Sequence, residues 1–197
     1  MHQYQTDDST RNNLLIAAVL LAVALAYFFN ATLEYFNIQL PWWFESPSIL
    51  GFYGLIYWLY DKYLWKIKWI QKIDWLKTPN ISGTWDAEIK TSHDVFSDCV
   101  SAIVIIRQTA FRISISMETD TSRSHSVQAA LLKTDKVSEY ELTYNYINHP
   151  KADSVTTLNI HLGTAHLHIS DNLRRMDGDY YTNRDRKNFG RIVFIHA

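Results

Sequence analysis

The sequence predicts two transmembrane helices at the N-terminus, followed by a domain built only of β-strands. An uncharged apolar run over 14–29 is followed by a second apolar segment over 48–60. From residue 80 onward the chain consists of short alternating runs rich in Ile, Val, Thr, Ser and Tyr, with no good amphipathic helix. We therefore expect a small antiparallel β-barrel of about eight strands, with a β-sandwich as the alternative.

The first apolar run is long enough to cross a bilayer. Leu14 to Phe29 contains no charge, Gly or Pro. With its polar flanks the helix, at about 13–33, reaches about 20 residues, the length that spans about 30 Å of hydrocarbon. Asp7 and Asp8 precede it, and no small-x-small cleavage site follows it. These features predict a retained anchor and not a secretory signal peptide.

A second helix is expected at about 47–72. It begins with a Ser-Pro pair, which supplies an N-cap and a first helical residue. The segment from Lys62 to Lys77 interleaves lysines with tryptophans, which suits contact with anionic lipid at the membrane surface. Nucleic-acid binding is the alternative interpretation of this basic, aromatic segment. No Lys or Arg lies between Arg11 and Lys62, so the charge distribution predicts that both termini face the cytoplasm.

Composition limits the partners of the remaining domain, 78–197. The net charge of -1 gives no strong field to attract a DNA or RNA polymer. Cys99 is the only cysteine, so no intramolecular disulfide can form, as suits a reducing compartment. Cys99 also lacks a nucleophile elbow and a nearby base in the sequence, so we expect that the protein is not an enzyme.

We also expect no metal, no cofactor and no catalytic residues. His161, His166 and His168 have the spacing of metal ligands, but strand alternation turns His161 away from the other two. No carboxylate or cysteine is seen to complete the set. Asp177 and Asp179 flank a glycine, as in a turn, and do not resemble an acid and base pair.

The strand pattern predicts an up-and-down barrel of the lipocalin type. The opening Gly83-x-Trp85 places the tryptophan inward, where we expect it to close the barrel base. The expected strands lie near 81–91, 100–108, 111–119, 124–134, 140–148, 154–162, 165–170, 173–182 and 191–196.

Several of these strands carry polar side chains on the face that alternation turns inward. An unpaired polar group in a dry core costs about 1–3 kcal/mol, so such strands together predict a wet interior that holds a ligand. A register error of one residue, which would turn these groups to solvent, is the alternative. The inward polar residues are Ser124, Ser126 and Gln128, then Tyr144 and Tyr146, then Thr157, Asn159 and His161.

The segment 176–186 is the richest candidate for ligand recognition. It places Tyr180, Thr182, Arg184 and Arg186 on one face of a strand. Guanidinium forks suit phosphate oxygens and an aromatic ring suits a nucleobase. A solvated charged turn is the plain alternative. The candidate ligand-binding residues are therefore Ser124, Ser126, Tyr144, Tyr146, His161, Tyr180, Thr182, Arg184 and Arg186.

Short motifs along the whole chain support a family resemblance. Together with the membrane helices they resemble the SMODS-associated two-transmembrane, β-strand-rich effectors of bacterial CBASS antiphage systems. In the sequence they are ISGTW (81–85), RQT (107–109), S-x-S-x-S (122–126), L-x-Y-x-Y-x-N-x-P (142–150), H-x-GTA (161–165), G-x-YYT-x-R-x-R (178–186) and G-x-I (190–192).

The resemblance implies a cell-killing effector in the inner membrane. A cyclic di- or oligonucleotide made by a partner CD-NTase, a cyclic-nucleotide synthase, would bind the barrel after infection. The protein would then form homo-oligomers and disrupt the lipid bilayer, causing abortive infection. One departure is Phe111-Arg112, where a Trp close to Gln108 would be expected. The alternatives are a constitutive membrane-tethered lipocalin-like module that binds a ligand or acts as a scaffold, and a phosphodiesterase-like enzyme.

Overall fold

The computed structural model describes most of the 197-residue chain, and it divides the chain into two compact units. One unit comprises Asp8–Thr78 and the other comprises Met1–Asp7 with Pro79–Ala197. The described residues are 1–6, 8–39, 49–73, 76–134, 140–152, 154, 159–183 and 187–197.

The first unit contains two described α-helices. α1 (Asp8–Tyr35) includes a 25-residue stretch, Arg11–Tyr35, that is long and apolar enough to cross a membrane. α2 (Ile49–Lys62) has 14 residues and spans about 21 Å, less than a hydrocarbon layer of about 30 Å. The predicted start of the second helix, at residue 47, lies outside the described residues.

The predicted continuation of the second helix to residue 72 is wrong. Tyr63 leaves the helical region with φ −129°, and two short 3-10 turns follow, at Leu64–Lys66 and Ile70–Lys72. This segment is dominated by aromatic and β-branched residues, which have modest helix propensity, and they do not carry the helix onward.

One face of α1 is buried. Leu14, Ala18 and Ala22 are 6%, 5% and 0% exposed and are spaced four residues apart, so they lie along one face of the helix. Phe29 of α1 contacts Phe52 of α2 edge-on, with ring centroids 5.9 Å apart. Small side chains allow two helix backbones to approach closely, as is common between membrane helices.

The second unit is a closed barrel whose described residues form nine strands. β2 to β9 each pair antiparallel with their neighbours in sequence, and β9 pairs back with β2. The full order around the sheet is β1-β4-β3-β2-β9-β8-β7-β6-β5, with β4 also paired to β5. The strands are β1 (His2–Gln5), β2 (Gly83–Thr91), β3 (Val100–Gln108), β4 (Arg112–Glu118), β5 (Ser122–Lys133), β6 (Tyr140–Pro150), β7 (His161–Ile169), β8 (Arg175–Thr182) and β9 (Phe189–His196).

The N-terminal strand β1 fills the seam between β4 and β5. It pairs antiparallel with β4 through His2 and parallel with β5 through Tyr4. Tyr4 is 4% exposed, and its hydroxyl donates to the carbonyl of Ala110 at 2.9 Å. The sequence predicts one unit over 1–77, an N-terminal tail with the membrane hairpin, whereas Met1–Asp7 belong to the barrel unit. A four-residue polar strand has too little periodicity to be recognised.

Two of the predicted strands are one strand in the structure. The sequence divided 154–162 from 165–170 at Gly163-Thr164, whereas β7 runs through both residues and begins at His161. Gly163 pairs with Tyr146 of β6, and a Cβ atom at Gly163 would overlap the Tyr146 ring. The glycine therefore serves close packing and not a turn.

The base of the barrel is closed by packed, buried side chains. Trp85 is fully buried, and its indole Nε1 donates to the Ile81 carbonyl at 3.1 Å, as expected for a residue that closes the base. The inward register predicted for β2 is confirmed, since Ala87 and Ile89 are also buried. The inward prediction for Gln128 is wrong, because a bulge between Ser126 and Gln128 shifts the register of β5.

Candidate functional site

A cavity of about 390 Å³ opens at one end of the barrel. It is built from the ends of β2, β4, β6 and β8 and the starts of β3, β5, β7 and β9, with apolar residues such as Ile89, Ala165 and Ile192 toward the core. Ligand sites of this size, which combine apolar walls with a few polar groups, are typical of small-molecule binding.

Three tyrosines line the cavity. Tyr144 and Tyr146 alternate on the inner face of β6, with ring centroids 6.0 Å apart, and Tyr180 lies in β8. Burial, and next the neighbouring Tyr146, raise the pKa of Tyr144 above its ordinary value of 10.0. Tyr144 therefore remains a neutral phenol well beyond the pH at which an exposed tyrosine ionises.

Amide, hydroxyl and imidazole groups provide the polar part of the cavity. Asn148 and His161 face each other across β6 and β7, and Asn148 also pairs with Ser124 on β5. The His161 ring Nδ1 lies 3.0 Å from the carbonyl of Asn159, which orients the imidazole. These buried groups can exchange hydrogen bonds with a polar ligand.

Thr182 fixes the end of β8 at the cavity mouth. Its hydroxyl donates to the carbonyl of Asn188 at 2.9 Å and accepts from the backbone N–H of the same residue at 2.8 Å. Both Thr182 and Asn188 line the cavity. The chain between them, which includes Arg184 and Arg186, therefore starts and ends at the mouth.

A turn after β2 adds acidic groups to the mouth. Asp94 Oδ1 accepts from the N–H of Phe96 at 3.2 Å, and Asp94 Oδ2 accepts from the N–H of Asp98 at 3.1 Å. Val95 and Phe96 both adopt left-handed conformations, with φ of 57° and 63°. Two such residues in succession are strained, and the Asp94 carboxylate stabilises the turn that holds them.

The structure brings most of the predicted site residues together. Tyr144, Tyr146, His161, Tyr180 and Thr182 all line the cavity. The predicted residues Arg184 and Arg186 lie outside the described residues, as does Thr157 of the inward set. Asn159, also predicted inward, is exposed and precedes β7.

Ser124 and Ser126 are buried but are not among the described cavity-lining residues. Ser126 instead joins strands, because its hydroxyl accepts from the N–H of Ile115 at 2.9 Å and lies 2.7 Å from His2 Nε2. The inward orientation predicted for both serines is confirmed by exposures of 7%. The hydrogen-bond partner of Ser126 could not be foreseen, because β1 was not predicted.

Sequence reasoning missed several residues at the mouth. Asn148 continues the alternation of Tyr144 and Tyr146 and could have been found from that pattern. Ser122 likewise continues the alternation of Ser124 and Ser126. The other missed polar residues lie at strand ends or in connections, where periodicity carries little information. They are Thr91, His93, Asp94, Asp98, Thr119, Thr121 and Asn188.

The histidines of β7 divide as predicted between the two faces of the barrel. His161 is buried and lines the cavity, whereas His166 and His168 face outward. The expectation that no carboxylate would join the outward pair is wrong, because Glu141 of β6 lies beside both of them. The pairing register of β6 and β7 brings the three residues together, and this register could not be predicted from the sequence.

The chain combines an apolar helix of membrane-spanning length with a barrel that has an open cavity. This combination is typical of a membrane-associated protein with a ligand-binding domain. The chain belongs to the Cap15 family. A family model described as the cyclic dinucleotide receptor domain of Cap15 matches residues 76–196, and one described as the Cap15 TM helices matches residues 14–66. The predicted relationship to CBASS effectors is thereby confirmed, as is a transmembrane region followed by a strand-rich domain.

A curated relative agrees with this family. CD-NTase-associated protein 15 of Escherichia albertii is 25% identical to this chain over 127 residues. The aligned region spans 64% of this chain and 64% of that relative, so it covers less than two thirds of either protein.

Proposed function

We propose that the barrel cavity binds a cyclic dinucleotide and that binding converts the protein into an agent of membrane damage. The observation that carries the proposal is the cavity itself, with Tyr144, Tyr146 and Tyr180 beside buried polar groups, inside the region that matches a cyclic dinucleotide receptor domain. Binding occurs without turnover, and the protein acts as an effector in antiphage defence.

The cavity chemistry suits a nucleotide with two bases. Aromatic side chains stack on bases at about 1–3 kcal/mol per base. The hydroxyl of Tyr144 is protonated at neutral pH, as an ordinary phenol is, and burial raises its pKa further, so it is available as a donor. Asn148 and His161 supply further donors and acceptors for base edges or ribose hydroxyls.

The phosphates need positive charge from outside the described cavity lining. None of the described lining residues is a Lys or Arg, and Asp94 and Asp98 add negative charge. Arg184 and Arg186 lie in the chain between the lining residues Thr182 and Asn188. We assign these two arginines to the phosphates, because guanidinium forks bind phosphate oxygens in pairs.

Chain connectivity supports two membrane crossings. β1 ends at Gln5 and β2 begins at Gly83, and both strands belong to the same barrel. We infer that the segment between them leaves and returns to the same side of the bilayer and crosses it an even number of times. With α1 as one crossing, the region of α2 supplies the second. Five lysines over 62–77 support our proposal that the barrel and both termini lie on the cytoplasmic side of the inner membrane.

Membrane disruption is proposed to require assembly of several copies. A single helix pair cannot enclose a pore, and the described part of α1 from Leu14 to Phe29 carries no charge that could conduct ions. Nucleotide binding can drive the change only by favouring the assembled state over the resting state. A CD-NTase in the same cell would supply the ligand.

Titration of the full-length protein in detergent with cyclic dinucleotides tests the binding step. The panel contains cyclic di-GMP, cyclic di-AMP and cyclic GMP-AMP with 3′–5′ and 2′–5′ linkages, and linear pGpG and pApA are the controls. Arg184→Ala and Arg186→Ala should each cost about 1.5–3 kcal/mol, or about tenfold to more than a hundredfold in affinity. Unchanged affinity in both variants would place the phosphates elsewhere.

The alternative function is a constitutive membrane-tethered module that holds an apolar ligand. The apolar cavity residues Ile89, Met117 and Ile192 favour it. Binding of a fatty acid in preference to every cyclic dinucleotide in the panel would support this alternative and contradict the proposal.

A further inference from the structure

We propose a divalent metal site on the outer face of the barrel, formed by Glu141, His166 and His168. His166 and His168 are separated by one residue and so project from the same face of β7. Glu141 lies on the neighbouring strand β6, directly opposite His168. One donor atom from each of the three residues lies within 4.8 Å of the others. The site is separate from the cavity, so the proposal does not rest on nucleotide binding.

The spacing of the donor atoms matches a bound ion. Zinc bonds to His nitrogen and carboxylate oxygen measure about 2.0–2.2 Å, so two ligand atoms in a tetrahedron lie about 3.3–3.6 Å apart. The distance from His168 Nδ1 to Glu141 Oε1 is 3.3 Å, and that from His166 Nε2 to Glu141 Oε2 is 3.6 Å. These two distances run to different oxygens of the carboxylate, and one donor atom from each residue lies within 4.8 Å of the others, so the three donors must move closer together to bind one ion.

A further contact orients one of the ligands. The Thr143 hydroxyl lies 2.8 Å from Nδ1 of His166. Metal-binding histidines commonly donate their second ring N–H to such an oxygen, which fixes the tautomer and directs the other nitrogen to the metal. With Nδ1–H donating to Thr143, the Nε2 lone pair of His166 faces Glu141.

The charges around the site favour a cation. Asp177 and Asp179 on β8 pair with His168 and His166, on the side opposite Glu141. Asp177 is shared with Arg175 and Arg191, at 3.5 and 3.4 Å, so its charge is partly balanced.

The donor set indicates the class of ion. Two imidazoles and one carboxylate suit Zn²⁺, Co²⁺ and related transition ions, whereas Mg²⁺ and Ca²⁺ prefer oxygen ligands only. Side-chain exposures of 22% for Glu141, 43% for His166 and 49% for His168 leave room for a solvent ligand. We therefore assign three protein ligands and an open fourth position.

Calorimetry and absorption spectroscopy test the site on the full-length protein in detergent. After removal of metal with EDTA and exchange into chelator-free buffer, the protein should bind one equivalent of Zn²⁺. It should also give visible d–d absorption with one equivalent of Co²⁺. The double variant His166→Ala/His168→Ala should lose both signals, and Glu141→Gln should weaken Zn²⁺ binding at least tenfold. Thr143→Val should weaken it by about tenfold to a hundredfold while the absorption persists at saturation.

The matched control is His125→Ala/His149→Ala, which removes the stacked pair of imidazoles on β5 and β6. This variant should bind Zn²⁺ as the parent does. All variants should show the unfolding temperature of the parent in EDTA, because the substituted side chains are partly or fully exposed. Absence of Zn²⁺ binding by the parent would overturn the assignment. Equal loss in the control, or retained binding in His166→Ala/His168→Ala, would overturn it as well.

Discussion

Gly163→Ala tests whether the cavity depends on the position of the Tyr146 ring. A Cβ at residue 163 would overlap Cζ and Oη of Tyr146 and would lie 2.8 Å from Cε1. Carbon atoms in contact prefer about 3.5–4.0 Å, so the ring must move by on the order of 1 Å. Overpacking of this kind costs about 1–3 kcal/mol, which corresponds to about 5-fold to 150-fold in cyclic-dinucleotide affinity if the ring moves into the cavity.

The assay is calorimetric titration with the tightest-binding cyclic dinucleotide of the panel. Gly54→Ala is the matched control, because a Cβ at that position meets nothing within 4 Å. In the background of Tyr146→Leu, which removes the ring, adding Gly163→Ala should cause little further loss. Wild-type affinity in Gly163→Ala, or losses that simply add in the double variant, would refute the role assigned to this contact.

Three further predictions concern the seam, the helices and the alkaline limit of stability. Tyr4→Ala should lower the free energy of unfolding by about 3–5 kcal/mol in denaturant titration, because the ring is buried between β4 and β5. Gln3→Ala, at an exposed position, should change it little. Equal effects of the two variants would contradict the stabilising role of Tyr4. Ala22 is fully buried on α1, so Ala22→Leu should force α1 and α2 apart and abolish toxicity in cells. Ala31→Leu, at an exposed position, should leave toxicity unchanged. A toxic Ala22→Leu variant would contradict this role of the helix contact. Burial raises the pKa of Tyr144 in the folded state, so its contribution to stability is present below pH 10 and is lost as the pH rises, at about 1.4 kcal/mol per pH unit. Tyr144→Phe should therefore flatten the fall of the unfolding free energy with pH above pH 10. An unchanged slope would contradict the burial effect.

The sequence predicted the strands whose alternation is regular. The apolar alternation of β2 and the tyrosines of β6 assign their inner faces correctly, because period-two burial leaves a clear trace in the residues. It failed at β1, which consists of four mostly polar residues. It also divided β7 at Gly163, because glycine signals both a turn and a close approach, and only the position of Tyr146 distinguishes the two.

The site was predictable where it lies on strands and not where it lies on connections. Tyr180 and His161 followed from alternation, whereas Asp94 and Asp98 reach the mouth through a left-handed turn that no periodic pattern encodes. Glu141 was separated from His166 by 25 positions in sequence, and only the β6–β7 register brings them together.

Dye release from liposomes that contain the full-length protein tests most directly whether the occupied cavity causes membrane damage. We expect rapid leakage only after addition of the tightest-binding cyclic dinucleotide, and no leakage with the linear dinucleotide. Gly163→Ala should require a concentration about 5-fold to 150-fold higher for the same leakage, in proportion to its lost affinity. Leakage at the same rate without nucleotide, or an unchanged dose dependence in a variant that binds more weakly, would contradict the coupling of the cavity to the membrane.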